Sequence, residues 1–301
     1  MRKILLVGNL GQVGYELQRS LSSLGQVIGV DRNELDITDI SKLKDFVREL
    51  KPQVIVNAAA YTAVDRAESE ASLAKKINAD APTILAEEAK RLDACLIHYS
   101  TDYVFDGTKD GLYSEDDIPN PLGIYGQTKL DGELGIQHTG CDHLIFRTSW
   151  VYGSRGQNFL LTMLRLSQEK EFLKIVNDQV GAPTWSRFLA DATAQILAIT
   201  LSQKEEIRQN LWGTYHLTSQ KHTTWYDFTR AIIEEGKHSL QFTKAAMLSP
   251  ITTEEYPTPA KRPKNSKLDL SKVQKTFGIY PPQWNVSLKM CVEEIAQKKS
   301  S

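Results

Sequence analysis

Gly8-Asn9-Leu10-Gly11-Gln12-Val13-Gly14 follows the apolar run Ile4-Leu5-Leu6-Val7 without a break. This order restricts what the start of the chain can become: a buried strand, a glycine turn and the first turn of a helix. Such a turn lets backbone N–H groups approach a pyrophosphate closely, and the helix N-terminus adds a favourable dipole. The spacing is G-x-x-G-x-x-G, looser than the commoner G-x-G-x-x-G, and alone it also suits a purely structural turn. A second apolar segment, Val27-Ile28-Gly29-Val30, ends in Asp31, seventeen residues beyond Gly14. A carboxylate at that point meets an adenosine ribose hydroxyl. Gly8, Gly11, Gln12, Val13, Gly14 and Asp31 are therefore expected to hold a dinucleotide. Asp31 favours a free 2′-hydroxyl, as in NADH, whereas the adjacent Arg32 can pair with a 2′-phosphate, as in NADPH. Use of both coenzymes is expected.

The apolar segments continue in the same style. Val54-Ile55-Val56, Cys95-Leu96-Ile97 and Leu144-Ile145-Phe146 alternate with helix-like stretches over residues 40–50 and 72–92. Strands alternating with helices predict right-handed βαβ units and a doubly wound, parallel, Rossmann-like α/β sheet. The pattern loosens after about residue 150. Residues 185–201 and 224–235 read as helices, 214–217 as a short strand, and the proline-rich stretch 249–263 as an irregular loop. We expect a dinucleotide-binding region over 1–150 and, over 151–301, mainly a smaller substrate-binding lobe with some segments returning to the main domain. The tail 298–301 is expected to fray.

Composition excludes several function classes. A net charge of −1 gives no reason to expect nucleic acid or an anionic membrane as partner. No apolar run approaches the ~20 residues of a membrane span, and the apolar part of the opening segment is too short for a signal peptide. Cys95, Cys141 and Cys291 form no close pair and no metal-ligand spacing, which suits a reducing cytoplasm.

Candidate chemistry sits in the middle of the chain. Tyr125-Gly126-Gln127-Thr128-Lys129 places a phenol and an ammonium four residues apart, on one face of a helix. Of eleven tyrosines, Tyr125 alone has a lysine at that spacing. A nearby cation favours the phenolate, so the pair is expected to lower the pKa of Tyr125 and to serve proton transfer near neutrality. The competing reading is a chance surface contact. Ser100-Thr101-Asp102-Tyr103 follows the apolar run 95–97, at the carboxyl end of an expected strand, where hydroxyls can reach a substrate carbonyl; Thr101 also suits a turn or cap. Asn57-Ala58-Ala59-Ala60-Tyr61-Thr62 follows another strand, with side chains small enough for backbone to lie against a cofactor.

Together these segments resemble the extended short-chain dehydrogenases/reductases. The likeness extends to residues 98–105, 147–153, 177–184 and 256–260, within the branch that acts on nucleotide sugars. It implies hydride transfer from NADPH or NADH to C4 of a dTDP-4-keto-6-deoxy-sugar, with Thr101, Tyr125 and Lys129 catalytic. By the same resemblance Asp36, Ile37, Ala60, Tyr61, Thr62 and Tyr99 join the cofactor site, and Asp102, Tyr103 and Trp150 the substrate site. Arg262 can clamp a diphosphate, although a solvated loop arginine fits as well, and Trp150 can equally be core. Dehydratases of this superfamily need an extra acid where Tyr103 stands, and epimerases are excluded less firmly. A non-catalytic regulatory subunit, like that of methionine adenosyltransferase, is the alternative of a different class. Some relatives place Mg²⁺ at a dimer interface through helix carboxylates, a role open to Glu16. Arg187 brings positive charge where more acids are wanted, so no metal is expected to be required. Monomer and homodimer both remain open.

Overall fold

The protein is described here by a computed structural model covering residues 1–242 and 244–300. Six parallel strands form the central sheet: β1 (Lys3–Val7), β2 (Gln26–Val30), β3 (Val54–Asn57), β4 (Cys95–Thr101), β5 (His143–Thr148) and β6 (Gly213–His216). Their spatial order is β6-β5-β4-β3-β1-β2. β1 pairs with β2 on one side and β3 on the other, Leu5 lying between Ile28 and Ile55. The connections therefore leave β1 in opposite directions, and a crevice opens beyond the carboxyl ends of β1 and β3. β4 is buried along all seven residues, as a middle strand covered on both faces must be.

Helices cover both faces. Leu17 and Leu21, from α1 (Gln12–Ser20) and its end, pack with Leu189, Ile196 and Leu197 of α6 (Ser186–Ser202) and with Phe277 on one face. Leu43 and Val47 of α2 (Ile40–Leu50), with Leu85 and Ala89 of α3 (Ala81–Leu92), pack on the other. The helix α4 (Ile124–Thr139) lies beside α3 and carries the Tyr125/Lys129 spacing. Several segments beyond residue 150 belong to this main body: β6 extends the sheet, α6 packs on α1, and Ser271–Phe277 packs on β6.

A separate apolar cluster holds Tyr152, Leu160, Trp185, Phe228, Ile232, Leu288 and Val292. It joins α5 (Phe159–Glu169), α7 (Trp225–Ser239) and α8 (Trp284–Ser300). No helix among the described residues is long and apolar enough to cross a membrane.

Three local expectations change. The stretch 72–92 is not one helix: Ala71–Lys75 and α3 are separated by a π-helical turn, Lys76–Asp80. Pro82 explains the break, because it offers no N–H to the Asn78 carbonyl and its ring crowds that position. The stretch 249–263 is not wholly irregular. Met247–Ile251 pairs in parallel with Phe172–Val176, and Pro250 is tolerated because this pair forms a two-stranded sheet with free edges. The tail does not fray at Lys298, whose ammonium meets Glu294 and Ser154; Ser301 lies outside the described residues.

Candidate active site

The glycine turn is built by close backbone approach. Gly8 has φ +82°, and a Cβ there would press on the backbone of Ala58 and Ala59. A Cβ on Gly14 would collide with the Gly8 carbonyl, which is why α1 can start so close to the strand. No side chain among the described residues caps α1, so its first N–H groups, at Gln12, Val13 and Gly14, have no intrahelical acceptor. Such a bare backbone turn suits an anion.

Beside it lies a cleft of about 310 Å³ lined by Gly8, Asp31, Arg32, Asp36, Ile37, Ala60, Tyr61 and Thr62, together with Leu35 and Arg66. Every adenosine-side residue expected from the sequence thus meets in one cavity. Asp31 is partly committed: its carboxylate accepts the Asn33 N–H at 2.7 Å. Asp36 caps its own turn through Thr38, whose N–H and hydroxyl hold the carboxyl below its ordinary pKa. The bare backbone turn, the cleft and the pair Asp31/Arg32 fit a nicotinamide dinucleotide.

Tyr125 stands in the first turn of α4, edge-to-face with Tyr103 at 5.6 Å between ring centres. Its pKa is pushed up to about 12, because burial outweighs a hydrogen bond with Thr101. The sequence-based expectation of a lowered value is therefore not met in this state. The cause is geometric: Lys129 turns its ammonium to the Tyr99 carbonyl, 2.5 Å away, and to His98 Nε2 at 3.1 Å. Burial brings Lys129 itself down to about 8. Thr101 fulfils its cap reading, accepting the Tyr103 N–H at 3.2 Å, while its hydroxyl donates to Asp102 at 3.0 Å. Asp102 is buried, its other oxygen has no partner among the described residues, and burial pushes its carboxyl up to about 6.

Tyr99 enters the site through its carbonyl only. Its ring packs into the core against Phe146, and its hydroxyl meets Thr193 at 2.7 Å, so the side chain does not line the cleft. Trp150, with φ +48°, lies flat on Trp225 at 3.5 Å and against Gly181. Arg262 is not a free loop arginine; it pairs with Asp65 at 2.9 Å. The segment it belongs to brings Ala260, Lys261 and Pro263 over Tyr125, leaving a space of only about 10 Å³. Glu16 pairs with Arg187 at 3.1 Å, and Arg187 also holds Glu294, so a cation already occupies the gap between these two acids.

Sequence reasoning missed Asn78, His98 and Glu68. Asn78, on the π-turn, accepts the Tyr61 N–H at 2.8 Å and donates to the Tyr61 carbonyl and to Thr128, tying the cofactor cleft to α4. Glu68 accepts the Ile124 N–H at 2.9 Å and so caps the helix that bears Tyr125. The break at Pro82 was a usable signal for Asn78; the other two carried none.

A switch-point dinucleotide cleft beside a Tyr-x-x-x-Lys helix and a Thr at the end of β4 defines an extended short-chain dehydrogenase/reductase. A profile of the RmlD substrate binding domain matches residues 1–297. The dTDP-4-dehydrorhamnose reductase of Burkholderia thailandensis is 47% identical over 295 residues, covering 97% of this chain and 99% of the relative. A solved dTDP-4-dehydrorhamnose reductase from Clostridium acetobutylicum matches with TM-score 0.88 at 38% identity, covering 97% and 99% of the two chains. Another, from Bacillus anthracis in complex with NADP, matches with TM-score 0.87 at 33% identity, covering 98% and 100%. The chain belongs to the RmlD family.

Proposed function

We propose that this chain is an NAD(P)H-dependent dTDP-4-dehydrorhamnose reductase, acting in the cytoplasm as a monomer or homodimer. The substrate is dTDP-4-dehydro-L-rhamnose and the product dTDP-L-rhamnose. The observation that carries the reading is the meeting of Tyr125 and Thr101 at the end of β4, beside a cleft shaped for a dinucleotide. Gln12, Val13 and Gly14 would receive the pyrophosphate, and Asp31, Arg32 and Ile37 the adenosine. When bound, the reduced nicotinamide supplies the hydride.

The side chains do the rest. A phenol whose pKa lies near 12 is protonated at neutral pH, so Tyr125 is the proton donor to an alkoxide forming at C4. Thr101 and Tyr125, close together at the end of β4, converge on the carbonyl oxygen from one side. Lys129 steadies the phenolate left behind. Asp102 and Trp150 face the sugar, Tyr103 closes one wall, and Arg262 meets the diphosphate. Residues 151–301, apart from the segments that join the sheet, form the lobe that receives the sugar nucleotide.

The decisive experiment follows NADPH oxidation with dTDP-4-dehydrorhamnose, for wild type and Tyr125→Phe. The expected loss in kcat is about 10²–10⁴-fold, with cofactor affinity unchanged. A wild type that binds cofactor yet leaves the keto-sugar untouched would overturn the reading in favour of a regulatory subunit.

A further inference from the structure

The mechanism above uses Trp150 but gives Trp225, the ring stacked on it, no task. The two indoles lie 3.5 Å apart between centres and within 9° of parallel. The other face of Trp150 is covered as well. A Cβ on Gly181 would fall 2.5 Å from Trp150 Cε2 and 2.8 Å from both Nε1 and Cζ2. An approach along the ring plane would bring Nε1 and Cζ2 nearer than the fusion carbon Cε2, so Gly181 sits over the ring face. Rings 3.5 Å apart leave no room for backbone between them, so Gly181 and Trp225 take opposite faces. Trp225 gives its own N–H to the buried Gln179 at 3.2 Å. Trp150 Nε1 has no hydrogen-bond partner among the described residues.

We propose that Trp225 is a positioning residue for the nucleotide sugar: with Gly181 it clamps both faces of Trp150, which then meets the sugar through its N–H edge. Trp150 stands two residues beyond Thr148, the neighbour of Thr101 across β4 and β5, and so beside the site. Its φ of +48° is backbone that a bulky residue holds only where its surroundings impose it. Here the segment 181–184 imposes it. The Thr184 N–H donates to the Trp150 carbonyl at 3.2 Å, and the Ser149 hydroxyl donates to the Ala182 carbonyl at 2.9 Å. That segment fixes the backbone and one ring face, and α7 supplies the other jaw. Trp225 opens α7 and packs on Phe159 at 4.5 Å, while Gln179, which holds its N–H, donates onward to Thr253. The outer jaw is thus rooted in the lobe.

The consequence is one of specificity. An indole covered on both faces has none left to stack on a sugar, and what it offers is a hydrogen-bond donor at a fixed place. A fixed donor favours a hydroxyl set at the right position, because a ligand without one leaves the N–H unpaired. A loose indole would accept many sugars through apolar contact alone.

The binding part rests on the reductase reading; the stack does not. Two indoles face to face give an exciton couplet in far-ultraviolet circular dichroism, and Trp225→Phe, which removes one of them, assigns it. The wild type is expected to show the couplet and to keep it when saturated with dTDP-L-rhamnose. Its absence from the wild type overturns the proposal. So does its loss on binding, which would mean that the indole turns a face to the sugar. In turnover, Trp225→Leu is expected to raise KM for the keto-sugar about tenfold, with kcat and KM for NADPH within about twofold. Trp225→Phe keeps a ring on Trp150 and should stay within about threefold of the wild type in every constant. Trp150→Phe keeps a ring but no N–H, so its KM should rise as in Trp225→Leu. A wild-type KM in either Trp225→Leu or Trp150→Phe overturns the proposal, as do losses in Trp225→Leu that fall equally on kcat and on both KM values. A couplet in a protein that neither binds dTDP-L-rhamnose nor turns over the keto-sugar supports the clamp and overturns the reductase reading alone.

Discussion

Asp102, proposed above as a substrate contact, shows what burying a carboxylate costs at the scale of one residue. It keeps a hydrogen bond from Thr101 but leaves one oxygen buried without a partner among the described residues, and its pKa stands at about 6 against an ordinary 3.8. The folded state therefore holds the proton more tightly than the unfolded chain. Its contribution to stability is best below about pH 4 and is lost as pH rises through about 6, by about 3 kcal/mol at most. Asp102→Asn keeps the shape and removes the charge. It is expected to raise stability at pH 8 by about 1–3 kcal/mol, with little gain at pH 4, while reducing turnover; urea unfolding at the two pH values checks this. Equal effects at both would show that the burial of charge is not the cause. Arg32, exposed beside Asp31, sets a second expectation. Arg32→Ala should raise KM for NADPH well above its effect on KM for NADH, in a wild type that prefers neither by more than about a hundredfold in kcat/KM. The places of single residues were legible where local spacing sets them, as for Tyr125 and Lys129 on one helix or for Thr101 at the end of its strand. His98 and Asn78 were not, because their partners Lys129 and Thr128 lie 31 and 50 residues away and only the fold brings them together.

At the scale of elements, α4 depends on a neighbour for its start. Gly123 offers no side chain, and Glu68 reaches in from the end of the short helix Val64–Ala67 to accept the Ile124 N–H. A carboxylate at a helix N-terminus also complements the dipole. Glu68→Ala is expected to cost about 1 kcal/mol and to lower kcat more than it raises KM, since Tyr125 sits in the turn that loosens. Glu68→Gln retains an acceptor and should lose less; urea midpoints and steady-state kinetics separate the two, and equal losses would count against the cap. The element order was readable because buried strands and amphipathic helices leave plain periodicities, and α2 (Ile40–Leu50) falls where its pattern placed it. The π-turn and the Met247–Ile251 strand were obscured by the same residue type. Proline reads as punctuation in sequence, yet Pro82 shifts a helix and Pro250 sits within a strand pair.

Over the whole molecule, polar ties close the second half of the chain onto the first. Asn158 donates to Gln12 Oε1 at 2.9 Å, and Arg262 and the Ala260 N–H both meet the Asp65 carboxylate. None of this was visible in sequence, where Arg262 offered only two readings, clamp or surface. The structure adds a third, a latch, and the three make different predictions. The space beside Tyr125 is only about 10 Å³, and if residues 260–263 move to admit a sugar nucleotide, the Arg262–Asp65 pair breaks and frees the guanidinium. If the freed arginine then holds the diphosphate, Arg262→Ala raises KM for the nucleotide sugar about 10-fold or more, as loss of a charge-assisted hydrogen bond does. Asp65→Ala releases the same segment but leaves the arginine available, so KM should stay level or fall. Equal rises in KM from both variants would make the pair a latch and nothing more. No change from either would return Arg262 to the surface.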